Sequence, residues 1–434
     1  MNESTALAPN LGPTGFRTDP RLDAVDEETH RRPPVPAIVP GHCAHFAYRT
    51  DNIGDARHYD YIRDLLTRLD ATVETDRPDQ IVALTAALAI KWERHTEFCS
   101  MTFFTRDGGP AGDWLRLPED WRAACPGLIV VALKIDFVGH DPDTDVEAIA
   151  RNGSDRPAGI ISVVNGGVAV VDAEYRAADG FTHLRVSSAD TDPGRLGRLV
   201  QRLIEIETYR VLALYAWPDA QALGPLLGDI DRGLVAAAEQ LGGPQQGSDQ
   251  DLLGKLTGLA QQLEHVAAQT HFRLNASIAY YELVQRRLID IRESKIEGAQ
   301  RLSSFINRRL DPAARTYRAI LVRQGEMAER VARASDLLRS RIDVELALQN
   351  QAVLRAMNER ADQQYRLQLT VEGLSTVAIS YYAIAILGYI LTALSVVTSE
   401  FETKLWEGIA APFVVVSVYF ALRRLRAAHN PHKG

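Results

Sequence analysis

Side chains able to exchange protons are concentrated in one short segment, residues 91–98, which reads Lys-Trp-Glu-Arg-His-Thr-Glu-Phe. Histidine is the side chain suited to proton transfer near neutral pH, and Glu93 or Glu97 could orient His95 for acid–base chemistry. If the segment is extended, Glu93, His95 and Glu97 share one face and Arg94 points to the other. An ion-paired strand face would show the same pattern. The sequence leaves both interpretations open.

A second group of charges lies on a helix predicted over residues 196–216. Arg198, Arg202 and Glu205 are three and four residues apart, so their side chains are neighbours on one face. The group could bind an anion, or it could form salt bridges at a helix surface. We treat both groups together as one cytosolic polar cluster: Glu93, Arg94, His95, Glu97, Arg198, Arg202 and Glu205.

Metal-ligating residues occur in two places, and neither has a complete ligand pattern. One place has two histidines and a cysteine without a second cluster at metal-ligand spacing: His42, Cys43 and His45. The other is an acidic turn without the glycine that an EF-hand needs at its sixth position: Asp141, Asp143, Asp145 and Val146. Phosphate-binding loops and nucleophile elbows are also missing from the sequence. We therefore predict no catalytic residue, no resident metal or cofactor and no enzymatic activity.

Composition indicates a globular protein with additional apolar segments. The chain has 434 residues, of which 46% are hydrophobic and 24% charged, which leaves room for one soluble domain and a membrane part. A formal net charge of -8 argues against a nucleic-acid partner, because such proteins concentrate positive charge. The three cysteines are widely spaced and odd in number, which favours reduced thiols in the cytosol: Cys43, Cys99 and Cys125.

The longest apolar run covers residues 373–399 and contains no formal charge. As a helix it would be about 40 Å long, enough to cross roughly 30 Å of hydrocarbon with some tilt. Several hydroxyl groups make it unusually polar for a membrane helix. These residues could line a pore, or they could pack helices together through small side chains. The candidates are Ser375, Thr376, Ser380, Tyr381 and Thr392.

A shorter apolar run covers residues 408–422 and is followed by a basic tail. The loop before it is acidic, with Glu400, Glu402 and Glu407 against one lysine, Lys404. Because Lys and Arg favour the cytoplasmic side, we predict a multi-pass inner-membrane protein with both termini in the cytoplasm and the acidic loop outside. Residues 1–36 contain no apolar segment of signal-peptide length.

Alternating apolar runs before residue 241 predict an N-terminal α+β, or α/β-like, domain, with a hairpin turn at residues 165–167. The rest is predicted to be helical, with a stalk helix that begins at the Asp311-Pro312 cap and ends in the two-helix transmembrane hairpin. The expected divisions are a proline-rich disordered N-terminus (1–36), a cytosolic domain (37–241), a helical arm (249–310), the stalk (311–372), a first span (373–399), an external loop (400–407), a second span (408–425) and a cytosolic tail (426–434).

Three segments of the sequence resemble the corresponding segments of one bacterial family, which is grouped as domain of unknown function 3422. They are residues 91–98, residues 197–210 and residues 371–382, and the resemblance extends over most of the chain. The family is described only as predicted membrane-anchored proteins. The resemblance therefore implies a topology but no activity.

The order of segments is also similar to that of the CorA-type divalent cation channels. Those channels carry Gly-Met-Asn at the end of the first span, whereas residues 395–399 here read Ser-Val-Val-Thr-Ser. This similarity implies a homo-oligomeric channel in a lipid bilayer, with a divalent cation as its ligand. The alternative is a membrane-anchored interaction or scaffold module without transport activity.

Overall fold

A computed structural model describes residues 21, 25, 33–50, 55–106, 108, 114–141, 143–145, 148–149, 159–175, 177–243, 248–395 and 403–429. The chain divides into two compact units, residues 1–334 and 335–434. Most of the predicted disordered N-terminus, the last five residues of the tail and two members of the acidic loop, Glu400 and Glu402, lie outside the described residues.

The described strands of the first unit form one nine-stranded sheet with the order β2-β3-β4-β5-β1-β6-β9-β8-β7. Strands β6 and β9 are parallel, and the other neighbours are antiparallel. The bounds are β1 (Gly41–Arg49), β2 (Thr72–Arg77), β3 (Gln80–Leu84), β4 (Leu88–Arg94), β5 (Phe98–Thr105), β6 (Ile129–Gly139), β7 (Ile160–Val164), β8 (Ala169–Glu174) and β9 (Thr182–Ser188).

Helices cover the sheet and then form the C-terminal part of the chain. Those described are α1 (Asp55–Arg68), α2 (Glu119–Ala123), α3 (Pro193–Leu214), α4 (Trp217–Gly242), α5 (Asp249–Asp290), α6 (Leu302–Ser395) and α7 (Thr403–His429). A mixed sheet domain followed by long helices confirms the predicted α+β class. The predicted hairpin turn is also present, since β7 and β8 pair on either side of Asn165 and Gly166, which both have positive φ.

The middle of the sheet is buried on both faces. All eight residues of β5 are buried. Met101 and Phe103 belong to an aromatic-rich core together with Ile62 of α1, whereas Phe98 and Phe104 belong to the larger core that includes α3. Because successive strand residues point to opposite faces, α1 and α3 cover opposite sides of the same strands.

Helix α3 packs against α5, and the first part of α6 returns along α5 in the antiparallel direction. The Ser277 hydroxyl of α5 donates to the Leu212 carbonyl of α3 at 3.2 Å. The Tyr281 hydroxyl donates to Asp311 at 3.0 Å, and further along Gln324 donates to Thr270 at 3.3 Å. These contacts hold the helices of the first unit to one another.

The stalk helix begins nine residues earlier than the sequence indicated. We expected a start at Asp311 and Pro312, but α6 begins at Leu302 and Pro312 lies inside it. The reason is that tertiary contacts satisfy the free first-turn amides: Ser162 accepts from the Leu302 amide at 2.8 Å and Glu293 from the next amide at 3.2 Å. From there α6 continues without a break to Ser395.

The C-terminal segments also differ from the expected divisions. Helix α7 begins at Thr403, so Glu407 is helical rather than part of an external loop. Among the described residues, one helix, α6, is long and apolar enough to cross a membrane. Helix α7 contains the expected second span, whose uncharged run of 15 residues is shorter than the roughly 20 that a span needs.

Substitution of one glycine tests the packing of α3 under the N-terminal segment. A Cβ atom at Gly197 would lie 2.2 Å from the carbonyl oxygen of Val35, next to the 3.0 Å hydrogen bond from the Ala37 amide to Pro193. Backbone atoms must move to relieve this overlap, so we expect Gly197→Ala to lower the free energy of unfolding by about 1–3 kcal/mol. Urea denaturation followed by Trp fluorescence measures the change.

The matched control is Gly254→Ala in α5, where an added Cβ has no neighbour within 4 Å. There, alanine should stabilise the helix by up to about 1 kcal/mol. Equal effects of the two substitutions would show that the N-terminal segment does not pack on α3 as described.

Candidate functional site

A cavity of about 280 Å³ lies between the sheet and α3. Strands β1, β4 and β5 form its floor, α3 forms its roof, and Val35 and Arg287 contribute from the N-terminal segment and from α5. A helix and the sheet that it covers normally contact each other through apolar side chains. The floor of this cavity is unusual because it is polar.

The floor consists of two rows of cross-strand neighbours. Lys91 of β4 is opposite Thr102 of β5, and Thr102 is opposite His45 of β1. In the next row Glu93 is opposite Ser100. All five side chains line the cavity, and directly opposed residues on one face of a sheet are close enough to interact. The floor therefore presents an ammonium group, a carboxylate, an imidazole and two hydroxyl groups side by side.

His45 is held between two hydroxyl groups. Its Nδ1 atom is 2.8 Å from the Thr102 hydroxyl and its Nε2 atom is 3.1 Å from the Thr208 hydroxyl of α3. Burial, together with the nearby charge of Lys91, lowers the pKa of His45 to about 3. The ring is therefore neutral at physiological pH. It donates to one threonine and accepts from the other.

Lys91 and Glu93 form a buried ion pair at the same floor. The Lys91 Nζ atom is 3.0 Å from Glu93, and the two side chains are 6% and 14% exposed. Nζ also donates to the carbonyl of Pro33 at 3.3 Å, which ties the N-terminal segment to the cavity wall. Charged groups are rarely buried unless they are paired, and this pair meets that requirement.

The roof carries a second ion pair. Glu205 of α3 is bonded to Arg287 of α5 and accepts from the Gln201 amide at 2.9 Å. Arg287 also pairs with Asp290 at 3.0 Å. Burial opposes the charge on Arg287, but Glu205 outweighs it and raises the pKa of Arg287 above its ordinary value. Opposite charges thus face the cavity from both the floor and the roof.

An open cleft adjoins the cavity and shares three lining residues with it: His95, Phe98 and Tyr209. The His95 ring stacks on Phe98 with the ring centroids 4.2 Å apart. Because these residues border both spaces, they mark the side on which the cavity meets the solvent. His95 therefore lies at the mouth rather than among the buried groups.

The structure brings together only part of the predicted polar cluster. Glu93, His95 and Glu205 line the cavity. Arg94 borders the adjoining cleft, and Glu97 instead pairs with Arg273 at 3.0 Å and accepts from Tyr280 at 2.9 Å. The other two residues of the predicted cluster, both arginines of α3, do not line the cavity. Arg198 is exposed, and Arg202 donates to the Asp290 carbonyl at 3.4 Å.

The three residues considered as metal ligands, His42, Cys43 and His45, do not share a binding partner. His42 pairs with Asp136 at 2.7 Å, Cys43 is a buried free thiol, and His45 bonds the two threonines. Among the described residues, no three His, Cys, Asp or Glu side chains are grouped so as to hold a metal ion.

The candidate pore residues lie on the uncharged part of α6. Three of their hydroxyl groups donate to the backbone carbonyl four residues earlier: Thr376 at 2.9 Å, Ser380 at 2.8 Å and Thr392 at 2.8 Å. Ser375 and Tyr381 are exposed. Within the second unit the Glu407 carboxylate lies against Gly388, since a Cβ built there would overlap it.

Several residues of the cavity were missed or undervalued by sequence reasoning: His45, Ser100, Thr102, Gln201, Thr208 and Arg287. Ser100 and Thr102 occupy alternate positions of a strand whose other residues are mainly apolar. That alternation is a signal, but it does not reveal which helix covers the strand. Arg287 comes from a helix far along the chain, and no local pattern connects it with Glu205.

Comparison with known proteins identifies a family but no activity. A family model described as "Protein of unknown function (DUF3422)" matches residues 17–429. Because the match covers nearly the whole chain, the chain belongs to this family, and the resemblance noted in the sequence is confirmed. A search of curated proteins gives no match.

The low pKa of His45 predicts a dependence of stability on pH. Between pH about 3 and 6.5 the unfolded chain binds a proton at His45 that the folded chain does not, so the free energy of unfolding falls as the pH falls, by about 1.4 kcal/mol per pH unit for one proton. Glutamine cannot titrate. The free energy of unfolding is measured by urea denaturation at several pH values between 4 and 6. Its slope against pH should be smaller in His45→Gln than in the wild type, by the amount that corresponds to about one proton.

The control is His265→Gln on the exposed face of α5, which should keep the wild-type slope. An unchanged slope in His45→Gln would contradict the buried, neutral state of His45.

Proposed function

We propose that this member of the DUF3422 family is a membrane-anchored binding module of the bacterial inner membrane. Its α+β domain stands in the cytoplasm and carries a ligand-binding cavity under α3. The uncharged part of α6 crosses the bilayer, α7 completes a short hairpin, and both termini are cytoplasmic. The stalk joins several copies of the chain.

One observation supports the proposed membrane anchor: α6 contains a strongly apolar stretch of 18 residues that is only 11% buried inside the protein. An apolar core helix of a soluble protein would be mostly covered by the rest of the chain. Large exposed apolar surfaces are rare on soluble monomers and mark contacts with a membrane or a partner. A bilayer is the partner that fits the uncharged part of α6, residues 373–395, which is about 35 Å long.

The hydroxyl groups of this segment support an anchor in preference to a pore. Thr376, Ser380 and Thr392 each use their proton on a carbonyl of their own helix. Hydrogen bonds made inside the helix allow such residues to face hydrocarbon without an unsatisfied donor. They therefore need no water-filled channel.

Exposed apolar side chains on the stalk support self-association. They lie in a helical segment whose residues are almost all exposed, and each is about half exposed or more: Leu337, Val344, Leu346, Leu348, Val353, Leu354, Met357, Tyr365, Leu367, Leu369 and Val371. A long helix in water gains most of its stability from packing. Further copies of the same chain would cover this exposed apolar surface.

A second candidate function is the passage of cations, as in the CorA-type channels. The position of Glu407 favours this function. Its carboxylate lies beside Gly388, which is about 10 Å along the helix from Ser395, the last described residue of α6. An ionisable side chain at membrane depth is rare and usually functional. In an oligomer this carboxylate could attract a divalent cation to a path between subunits.

Charge substitutions in α6 test the anchor. Ile386 and Ile390 are 58% and 55% exposed. Replacing both with Asp should add at least about 5 kcal/mol to the cost of membrane insertion, since each charge near the middle of a span costs about 2.5–3.5 kcal/mol. We expect the full-length variant to leave the membrane pellet in an alkaline carbonate wash in which the wild type stays.

The control pair, Val344→Asp and Leu348→Asp, has the same spacing in the same helix and similar exposure, and should stay in the pellet. Extraction of the wild-type protein by carbonate would refute the anchor.

Flux through proteoliposomes decides between the anchor and the channel. If cations pass, Glu407→Gln should lower divalent cation uptake at least about tenfold, because the attracting charge is lost. Glu372→Gln, outside the uncharged run, is the control and should keep the uptake. Reconstituted wild-type protein without any divalent uptake removes the second candidate and leaves the anchored module.

A further inference from the structure

We infer that the cavity under α3 binds a small zwitterion, an α-amino acid with an apolar side chain. The inference deepens the binding role proposed above and does not depend on the membrane anchor. It follows from the balance of charge around the cavity, from the hydrogen-bonding groups left over there, and from the apolar part of the wall.

The ion pairs among the described residues that line the cavity cancel in charge. Lys91 and Glu93 pair on the floor, Glu205 and Arg287 pair at the roof, and His45 is neutral. A ligand with a net negative or positive charge would leave one charge uncompensated in a site sheltered from water, which is costly. A ligand with one charge of each sign and no net charge avoids this cost.

The floor has hydrogen-bond donors for which the described residues provide no acceptor. The Lys91 ammonium has three N–H groups, of which Glu93 and Pro33 take two; among the described residues none accepts from the third. The hydroxyl of Ser100 has no hydrogen-bond partner there either. Donors that converge from an ammonium group and a neighbouring hydroxyl suit a carboxylate.

His45 supplies one more donor through its tautomer. The threonine that accepts from the imidazole N–H keeps its own proton, whereas the other threonine spends its proton on the ring. Either Thr102 or Thr208 is therefore left with an O–H group, and both line the cavity. A bound carboxylate can select the tautomer that gives it this bond.

The roof offers acceptors for the ammonium group of the ligand. Glu205 accepts from Gln201 and from Arg287, but a carboxylate has about four acceptor positions. Two positions remain for an ammonium group, and the Gln201 amide oxygen lies on the same helix. Carboxylate and ammonium groups of one ligand can thus bridge the floor and the roof.

The remaining wall is apolar, with Val35, Phe98, Phe104 and Ile204. These side chains provide a dry surface for an aliphatic or aromatic side chain. The volume of about 280 Å³ is below the roughly 300–1,000 Å³ of sites for drug-sized ligands. It suits a compact metabolite.

Calorimetric titration of the full-length protein in detergent micelles tests the inference with three matched probes: L-leucine, 4-methylpentanoate and 3-methylbutylamine. They share the aliphatic part and carry both charges, only the negative charge or only the positive charge. We expect L-leucine to bind, and each of the other two to bind at least tenfold more weakly because a buried charge stays unpaired.

Two variants connect the binding with the cavity. Lys91→Met and Ser100→Ala should each weaken the affinity for L-leucine about tenfold or more, and Ser100→Ala removes only one oxygen atom, so it should leave the fold intact. Lys134→Met is the control, because Lys134 pairs with Asp179 at the surface, 3.0 Å away, and should bind as the wild type does.

Three results would overturn the inference. Equal affinity for 4-methylpentanoate or 3-methylbutylamine would leave a binding cavity but exclude a zwitterion as its ligand. Wild-type affinity in Ser100→Ala and Lys91→Met would place the leucine site elsewhere. Absence of binding by all three probes at millimolar concentration would reject the inference, and together with a carbonate-resistant protein would leave only the anchor.

Discussion

The sheet face beneath α3 must be covered by a helix, yet it carries Lys91, Glu93 and His45 where apolar residues would pack. Burial of such groups is costly unless each finds a partner. Each of them has one, since Lys91 and Glu93 pair with each other, Thr208 of α3 bonds His45, and the Pro33 carbonyl of the N-terminal segment accepts from Lys91. The arrangement of this part of the molecule depends on satisfying these polar groups.

The same polar groups line the space between the helix and the sheet. An ion pair lies on each side of it, Lys91 with Glu93 on the floor and Glu205 with Arg287 at the roof. An apolar interface would be simpler and at least as stable. A chain that keeps charged groups in this position sacrifices stability, and active or binding sites are the usual places where that sacrifice is made.

The second unit meets a different constraint. Its helices expose apolar side chains over most of their length, and their hydroxyl groups are bonded within α6. A helix of this composition is stable in hydrocarbon or against copies of itself, where the backbone is already satisfied. The proposed membrane anchor and the cavity under α3 make separate demands on the sequence, and they lie in separate units of the chain.

Sequence patterns predicted the elements that depend on local chemistry. The turn at Asn165 and Gly166 and the α+β class followed from turn residues and alternation. The start of α6 was misplaced because Pro312 is a strong local signal, whereas the true start is fixed by Ser162 and Glu293, which are distant in sequence. The cavity could be predicted only in part for the same reason: Lys91, Glu93 and His95 lie in one charged segment, but the partners of His45 and Glu205 are set by strand order and helix packing.

The central claim, that the space under α3 is a binding site for a small zwitterion, is tested most directly by hydrogen–deuterium exchange of the full-length protein with and without L-leucine. Ligand that bridges the floor and the roof should slow amide exchange in β4, β5 and the middle of α3, and should leave α1 and the stalk unchanged. Exchange that is unaltered in these three elements at saturating L-leucine, or slowed only outside them, would contradict the account.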